Sequence, residues 1–295
     1  LELWKPGNPF IWYEVYGVTG QRANSLREWA VYNSLAPSLR LEVTGDPRQD
    51  RYPFSVQPDQ KISVQALASI MRDEYRGTPF DITEHPAFNP TGHKSPLARS
   101  SGSRDLFDLL GIQPERCIGT ETSGYVYISQ IRAWLPEPIS ACMWFTLGPS
   151  FTSCLAPIYC GATELADSWS LIPNFKQMDR RQVQWKFQLV AGLADLKYQE
   201  AIKDVQGVFS PAEERFIALQ PAFEEAAVQV FKEHGAASAQ HFITTYTRSC
   251  LENVDHAYGE LVDYLMFKYL YRYSDIAPPQ PIEISAPTVP PLPSH

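Results

Sequence analysis

The hydrophobic period of the chain changes once, and that change limits the folds open to it. Residues 117–134 alternate, with Tyr125, Tyr127 and Ile131 among polar neighbours. Residues 139–147 and 154–159 are short apolar runs bounded by proline and glycine. Three strand-like runs this close together predict an antiparallel meander. From about residue 178 the spacing becomes helical, with Val183, Phe187, Val190, Ala194, Tyr198, Ile202 and Val205 three or four apart. Ser210-Pro211-Ala212-Glu213 reads as a fresh helix start, with Ser210 as cap, Pro211 in the first turn and Glu213 closing a capping box. Gly235 is expected to end that helix. Another should run over 238–273, burying Phe242, Tyr246, Cys250, Leu261 and Leu265. Strands followed by helices give an α+β expectation.

The first 60 residues read as loops with one short helix over 26–35, capped by Asn24-Ser25 and stopped by Pro37. Ser63 starts a second, with Val64, Leu67, Ile70 and Met71 on its apolar face, and Gly77-Thr78-Pro79 ends it. Residues 84–104 read as a loop. Residues 1–276 are expected to be part of one domain. Residues 277–295 hold seven prolines in nineteen positions, which excludes helix or central strand and predicts an extended, polyproline-like tail.

Composition removes several classes of function. At 295 residues, 44% hydrophobic and 13% aromatic, the chain can bury a sizeable core. Its net charge of −8 repels phosphate backbones and disfavours a nucleic-acid partner. No apolar run reaches the roughly 18–20 residues that span a bilayer, so no membrane is expected. The start at Leu1 has neither initiator Met nor signal-peptide pattern, and the reading is of a chain beginning part-way through something. Five scattered cysteines imply no disulfide framework.

Candidate chemistry is sparse. No His-x-x-x-His, Glu-x-x-His or Cys-x-x-Cys pair occurs, so no metal and no cofactor is expected; His85 and His93 share a polar loop. Phosphate-binding glycine loops and a nucleophile elbow are absent. Cys160 ends a strand beside Glu164, which would oppose thiolate formation. Arg132, amid Ile131, Ala133 and Trp134, is either an outward charge or a buried guanidinium with partners. Glu121, in Thr120-Glu121-Thr122-Ser123, poses the same choice.

Several stretches, taken in order, resemble the secernin-related dipeptidases, a family of cysteine-type N-terminal-nucleophile hydrolases. They are Arg51-Tyr52-Pro53-Phe54-Ser55-Val56-Gln57-Pro58-Asp59, the segment from Met71-Arg72-Asp73-Glu74-Tyr75 to Asp81, and Gly124-Tyr125-Val126-Tyr127-Ile128-Ser129-Gln130-Ile131-Arg132-Ala133-Trp134. Met143-Trp144-Phe145, Pro157-Ile158-Tyr159-Cys160-Gly161 and Ala194-Asp195-Leu196-Lys197-Tyr198 continue the likeness, which runs over roughly residues 1–273. The loop over 87–104, Cys142 and the proline-rich tail depart from it.

The resemblance implies an αββα sandwich of two stacked antiparallel sheets, similar to penicillin acylases and bile-salt hydrolases. It implies a dipeptidase whose nucleophilic cysteine stands at a mature N-terminus, upstream of the matching region. This chain would then be a downstream portion partnered by an upstream nucleophile-bearing chain of the same precursor. Homo-oligomers of such pairs and short peptide substrates are implied too. Arg132 is placed beside the nucleophile, and Glu121, Thr122 and Ser123 are weaker candidates for holding the substrate. The alternatives are an amidase or acylase acting on another small amide, or an inactive structural subunit. A lysosome-like or secreted setting suits a processed acidic chain, with a cytoplasmic one as the alternative.

Overall fold

The structure is a computed structural model, and it describes residues 4–10, 12–16, 22–44, 50 and 52–284. Arg51 of the first matching stretch and positions 285–295 of the proline-rich tail lie outside the described residues.

The alternating region forms one three-stranded antiparallel sheet: β1 (Tyr125–Ile131), β2 (Ala141–Leu147) and β3 (Ala156–Tyr159), in the order β1-β2-β3. Tyr125 faces Leu147 and Ile131 faces Ala141 across the first pair; Cys142 faces Tyr159 across the second. Residues 117–124, expected to begin the first strand, are irregular instead. Gly119 explains part of this: its amide donates to the Asp73 carbonyl, and a Cβ there would lie 3.0 Å from the Arg72 backbone. The segment is thus pinned against another loop rather than against β2.

Seven α-helices are described: α1 (Trp12–Tyr16), α2 (Arg22–Leu35), α3 (Val64–Met71), α4 (Arg104–Leu110), α5 (Asp167–Ser170), α6 (Val183–Ala194) and α7 (Tyr198–Leu265). Ser63 caps α3 as its sequence predicts, its hydroxyl accepting from the Ala66 amide at 3.1 Å. Asn24-Ser25 lies inside α2 instead of capping it, because the helix starts at Arg22. Helix α3 stops at Met71, well before Gly77.

In α7, Gly235 has φ 81 and breaks the helix into two limbs, as its position predicts. Pro211 and Pro221 lie inside the first limb, so Ser210-Pro211 starts no helix. The cap signal is overridden by packing. Ala212 and Phe216 are buried in the main core, and Glu213 reaches an arginine instead of its own helix end. Pro211 deprives the Gly207 carbonyl of its donor. Next to it, the Val208 carbonyl accepts from the Ile282 amide at 3.2 Å. Ile282 and Ile284 are buried, so the described part of the tail is extended and docked along α7. The second limb gives way to a π turn at Met266–Leu270, short of residue 273.

Even-numbered residues of β1 and β2 point into the core against α7. Tyr159 packs 5.3 Å from Phe223, and Gln220 donates to Gln130, which also accepts from the Trp144 indole. The helical residues expected to be inward are buried there, among them Val183, Phe187, Val190, Ala194, Cys250 and Leu261. The odd face is covered on its β3 side, where Trp169 meets Phe145. On β1 it is bare: Tyr125, Tyr127 and Ile131 are 61, 52 and 75% exposed. Among the described residues no helix is long and apolar enough to cross a membrane.

Candidate functional site

Glu121 stands on the loop leading into β1, at a cleft of about 300 Å³. The cleft is organised by Arg99, which is only 2% exposed. Arg99 donates from Nη2 to Glu121 Oε2 at 2.9 Å, from Nη1 to Asp195 Oδ1, and from Nε to the Ser101 carbonyl. Its guanidinium lies 5.2 Å from the centre of the Tyr198 ring. The Ser100-Ser101-Gly102-Ser103 loop wraps this cation, and only glycine fits at 102, where a Cβ would fall 2.3 Å from Arg99 Nε. The Ser101 hydroxyl accepts from the Glu121 amide at 3.0 Å and fixes the loop.

Two carboxylates therefore flank one guanidinium, and the second oxygen of each has no described partner. Burial pushes the Glu121 carboxyl above its usual range; Arg99 pulls it down and Asp195 adds to the rise. Burial raises Asp195 as well, against the pull of Arg99. Gln188 of α6 and Phe151 also line the cleft. Such a cleft carries a net negative charge and offers acceptors over an apolar wall, which suits a small cation such as an ammonium group. Thr122 and Ser123 turn to Thr120, their hydroxyls 3.4 and 3.2 Å from Thr120 Oγ1, and neither lines this cleft.

Arg132 is at the other end of β1. It is 6% exposed, with Nη1 donating to Glu224 Oε1 at 2.5 Å and Nη2 to the Ile139 carbonyl at 3.5 Å. Of the two readings left open by the sequence, the buried guanidinium is the one observed. Glu224 also accepts from the Tyr159 hydroxyl at 2.8 Å, while Arg132 Nε has no partner. Seven strand residues lie between the two loci, about 23 Å of backbone at roughly 3.3 Å per residue.

Cys117, Cys142, Cys154 and Cys250 are buried, and burial pushes Cys117 and Cys250 up to about 12. Cys160 is exposed. His85 Nδ1 accepts from the Ala87 amide within its own turn. The described residues hold no group of three or more His, Cys, Asp or Glu suited to a metal. Sequence reasoning missed Arg99 and Asp195. Asp195 fell inside a stretch already quoted for its family likeness. An arginine in a polar loop, by contrast, gives no signal of burial.

A family model described as Peptidase family C69 matches residues 8–210, more than half of the chain, and the chain belongs to that family. The matched region includes Arg99, Glu121, Arg132 and Asp195 and ends within the first limb of α7. Among relatives, the dipeptidase of Bifidobacterium longum (strain NCC 2705) is 22% identical over 163 residues, 54% of this chain and 27% of that protein. The probable dipeptidase A of Streptococcus pyogenes serotype M18 (strain MGAS8232) is 22% identical over 182 residues, 62% of this chain and 33% of that protein. The alignment thus takes up about a third or less of each relative's length.

Proposed function

We propose that the chain is the downstream portion of a dipeptidase whose cysteine nucleophile lies on an upstream segment or a separate chain. The observation that carries this reading is the Arg99–Glu121–Asp195 cleft. Family membership and the names of the two relatives support it. A dipeptide carries a free ammonium close to its scissile bond. Glu121 and Asp195 each keep one oxygen available to accept from it, and Arg99 holds both carboxylates in place.

Catalysis would come from the N-terminal cysteine. Its own α-amine titrates near neutrality and takes the thiol proton. The thiolate attacks the peptide carbonyl, the proton passes to the departing amine, and water hydrolyses the acyl-enzyme. The sheet described above would be one layer of an αββα sandwich, with the bare odd face of β1 turned toward the second sheet. Of the two ends of β1, the geometry favours the Glu121 end, which has an open cleft. Arg132, enclosed and paired to Glu224, belongs to the proposal as a fixed guanidinium with an unused donor.

The test is steady-state hydrolysis of dipeptides by the complete gene product, with N-terminal sequencing of every chain it yields. Glu121→Gln should raise KM about tenfold or more, the loss of a charged hydrogen bond, with little change in kcat. An unchanged KM would remove Glu121 from substrate binding. Arg132→Ala, if folded and fully active, would remove Arg132. Absence of an N-terminal cysteine and of turnover would leave the chain as a structural subunit, and turnover restricted to acylated amines would make it an amidase.

A further inference from the structure

Helix α6 ends on two residues that weaken a helix, and both line the cleft. Gly192 lies in its last turn and makes the helix less stable than alanine would. Asp195 follows at the C-cap, where the helix dipole disfavours a carboxylate. Gln188, Ala191, Gly192 and Asp195 fall at i, i+3, i+4 and i+7, so one face of the helix looks into the cleft. Phe187, Val190 and Ala194, which face the core, show no such departure.

Packing does not explain Gly192. A Cβ there would meet nothing within 4 Å, whereas one at Gly102 or Gly161 would strike a neighbour. Nor does the backbone need a glycine, because Gly192 is not in the left-handed region. What the missing side chain leaves is open space one helical turn from Asp195. Arg99 fixes the Asp195 carboxylate, and Glu121 stands on the same guanidinium. An ammonium held between these two carboxylates brings the carbon that bears it close to the last turn of α6. The cleft walls within reach of that carbon are Ala191, Gly192, Pro149 and Phe151, and none of the four carries a charge.

We infer that Ala191 and Gly192 hold open a subsite for the side chain of the substrate's N-terminal residue, and that it selects a medium-sized apolar side chain such as that of leucine. The inference deepens the reading of the cleft as the amine site of a dipeptidase and rests on it. A cleft of about 300 Å³ is at the small end for ligand sites, which suits a dipeptide over a longer peptide. The net negative charge of the cleft disfavours an acidic side chain at the same place.

The test is turnover of leucyl-alanine, glycyl-alanine and aspartyl-alanine by the complete gene product. Leucyl-alanine should exceed glycyl-alanine about tenfold or more in kcat/KM, from burial of the leucine side chain. Aspartyl-alanine should be the poorest of the three. Gly192→Leu fills the space and should lower the leucyl to glycyl ratio about tenfold. Gly192→Ala should lower the ratio about two- to fivefold and raise Tm by about 1–3 °C, since alanine is the better helix former. A glycine that packing required would give a lower Tm instead, and that result would overturn the inference. So would an unchanged ratio in either variant, equal kcat/KM for the leucyl and glycyl substrates in the parent, or turnover of aspartyl-alanine as fast as that of leucyl-alanine. Leucinol and ethanolamine separate the subsite from the dipeptidase reading, because they carry the ammonium and the two side chains but no amide bond. If no dipeptide is hydrolysed, tighter calorimetric binding of leucinol than of ethanolamine, lost in Gly192→Leu, keeps the subsite and removes the dipeptidase. Equal or absent binding then removes both. Turnover without side-chain preference keeps the dipeptidase and removes the subsite.

Discussion

Arg72, half-buried, and Arg132, buried, are both paired to a glutamate of α7, yet they are held in opposite ways. Arg72 grips Glu213 through both Nη atoms at 2.9 and 2.6 Å, and donates to the Ser150 and Ser153 carbonyls at 2.7 and 2.9 Å. Its guanidinium lies 5.0 Å from the centre of the Phe209 ring. Glu213 in turn accepts from the Leu155 amide. One ion pair thereby ties α3, the β2–β3 connection and the first limb of α7 together. Arg132 has one close partner, one contact at 3.5 Å and an unpaired Nε. A guanidinium whose donors are nearly all used holds the fold. One with a donor left over contributes less to stability and keeps capacity for something else.

The largest expected effect breaks the first of these. Arg72→Ala leaves Glu213 buried with only an amide partner and should cost about 3–5 kcal/mol, read from urea unfolding. Replacing both partners, Arg72→Met with Glu213→Leu, should recover most of that loss, because no charge remains stranded. A single-variant loss under about 1 kcal/mol would equate Arg72 with a surface pair. Arg132→Ala should cost less, about 1–3 kcal/mol, since Arg132 makes one close hydrogen bond where Arg72 makes four. A loss matching that of Arg72→Ala would erase the contrast. Tyr159→Phe removes one hydrogen bond from the same cluster and should cost about 1 kcal/mol.

The smallest effect concerns Glu74, two residues beyond Arg72. Burial raises its carboxyl above the usual value, opposed by Arg76, the Tyr198 hydroxyl and Arg99. Arg72, occupied with Glu213, is not among its partners. A raised folded-state pKa means the folded chain holds this proton more tightly than the unfolded one. The contribution is therefore full below about pH 4.5 and is lost as pH rises through the folded value. Glu74→Gln should flatten this dependence, with a Tm at pH 8 equal to or above that of the parent. A variant that loses more stability at pH 8 than at pH 4 would show that Glu74 acts as a paired carboxylate.

The sequence showed Arg132 as a choice between two placements and passed over Arg72 altogether, although Arg72 stands in a stretch resembling the family. The difference is physical. Arg132 lies in text of period 2, where a charge breaks the pattern and draws notice. Arg72 lies just past a helix end, where a charge is ordinary. Glu213 was read as a capping residue because Ser-Pro-x-Glu is locally sufficient for a helix start. Only the approach of α3 and the β2–β3 loop redirected it. Glu121 stands out in the sequence as a candidate for holding the substrate, but its neighbours Arg99 and Asp195 do not, since nothing local links a loop arginine to the end of α6.

What the sequence by itself determined is whatever depends on near neighbours. The Ser63 cap, the break at Gly235, the inward faces of α6 and α7 and the three antiparallel strands all follow from spacing along a few turns or a few alternations. What only the tertiary structure decided is where distant residues meet. It keeps Pro211 inside a helix, docks Ile282 and Ile284 along α7, gathers Arg99, Glu121 and Asp195 at one cleft and sets Arg132 at the far end of the strand. The reason is that a polar atom removed from water takes whichever partner packing brings within reach, and a sequence read in short windows records the atom but not its partner.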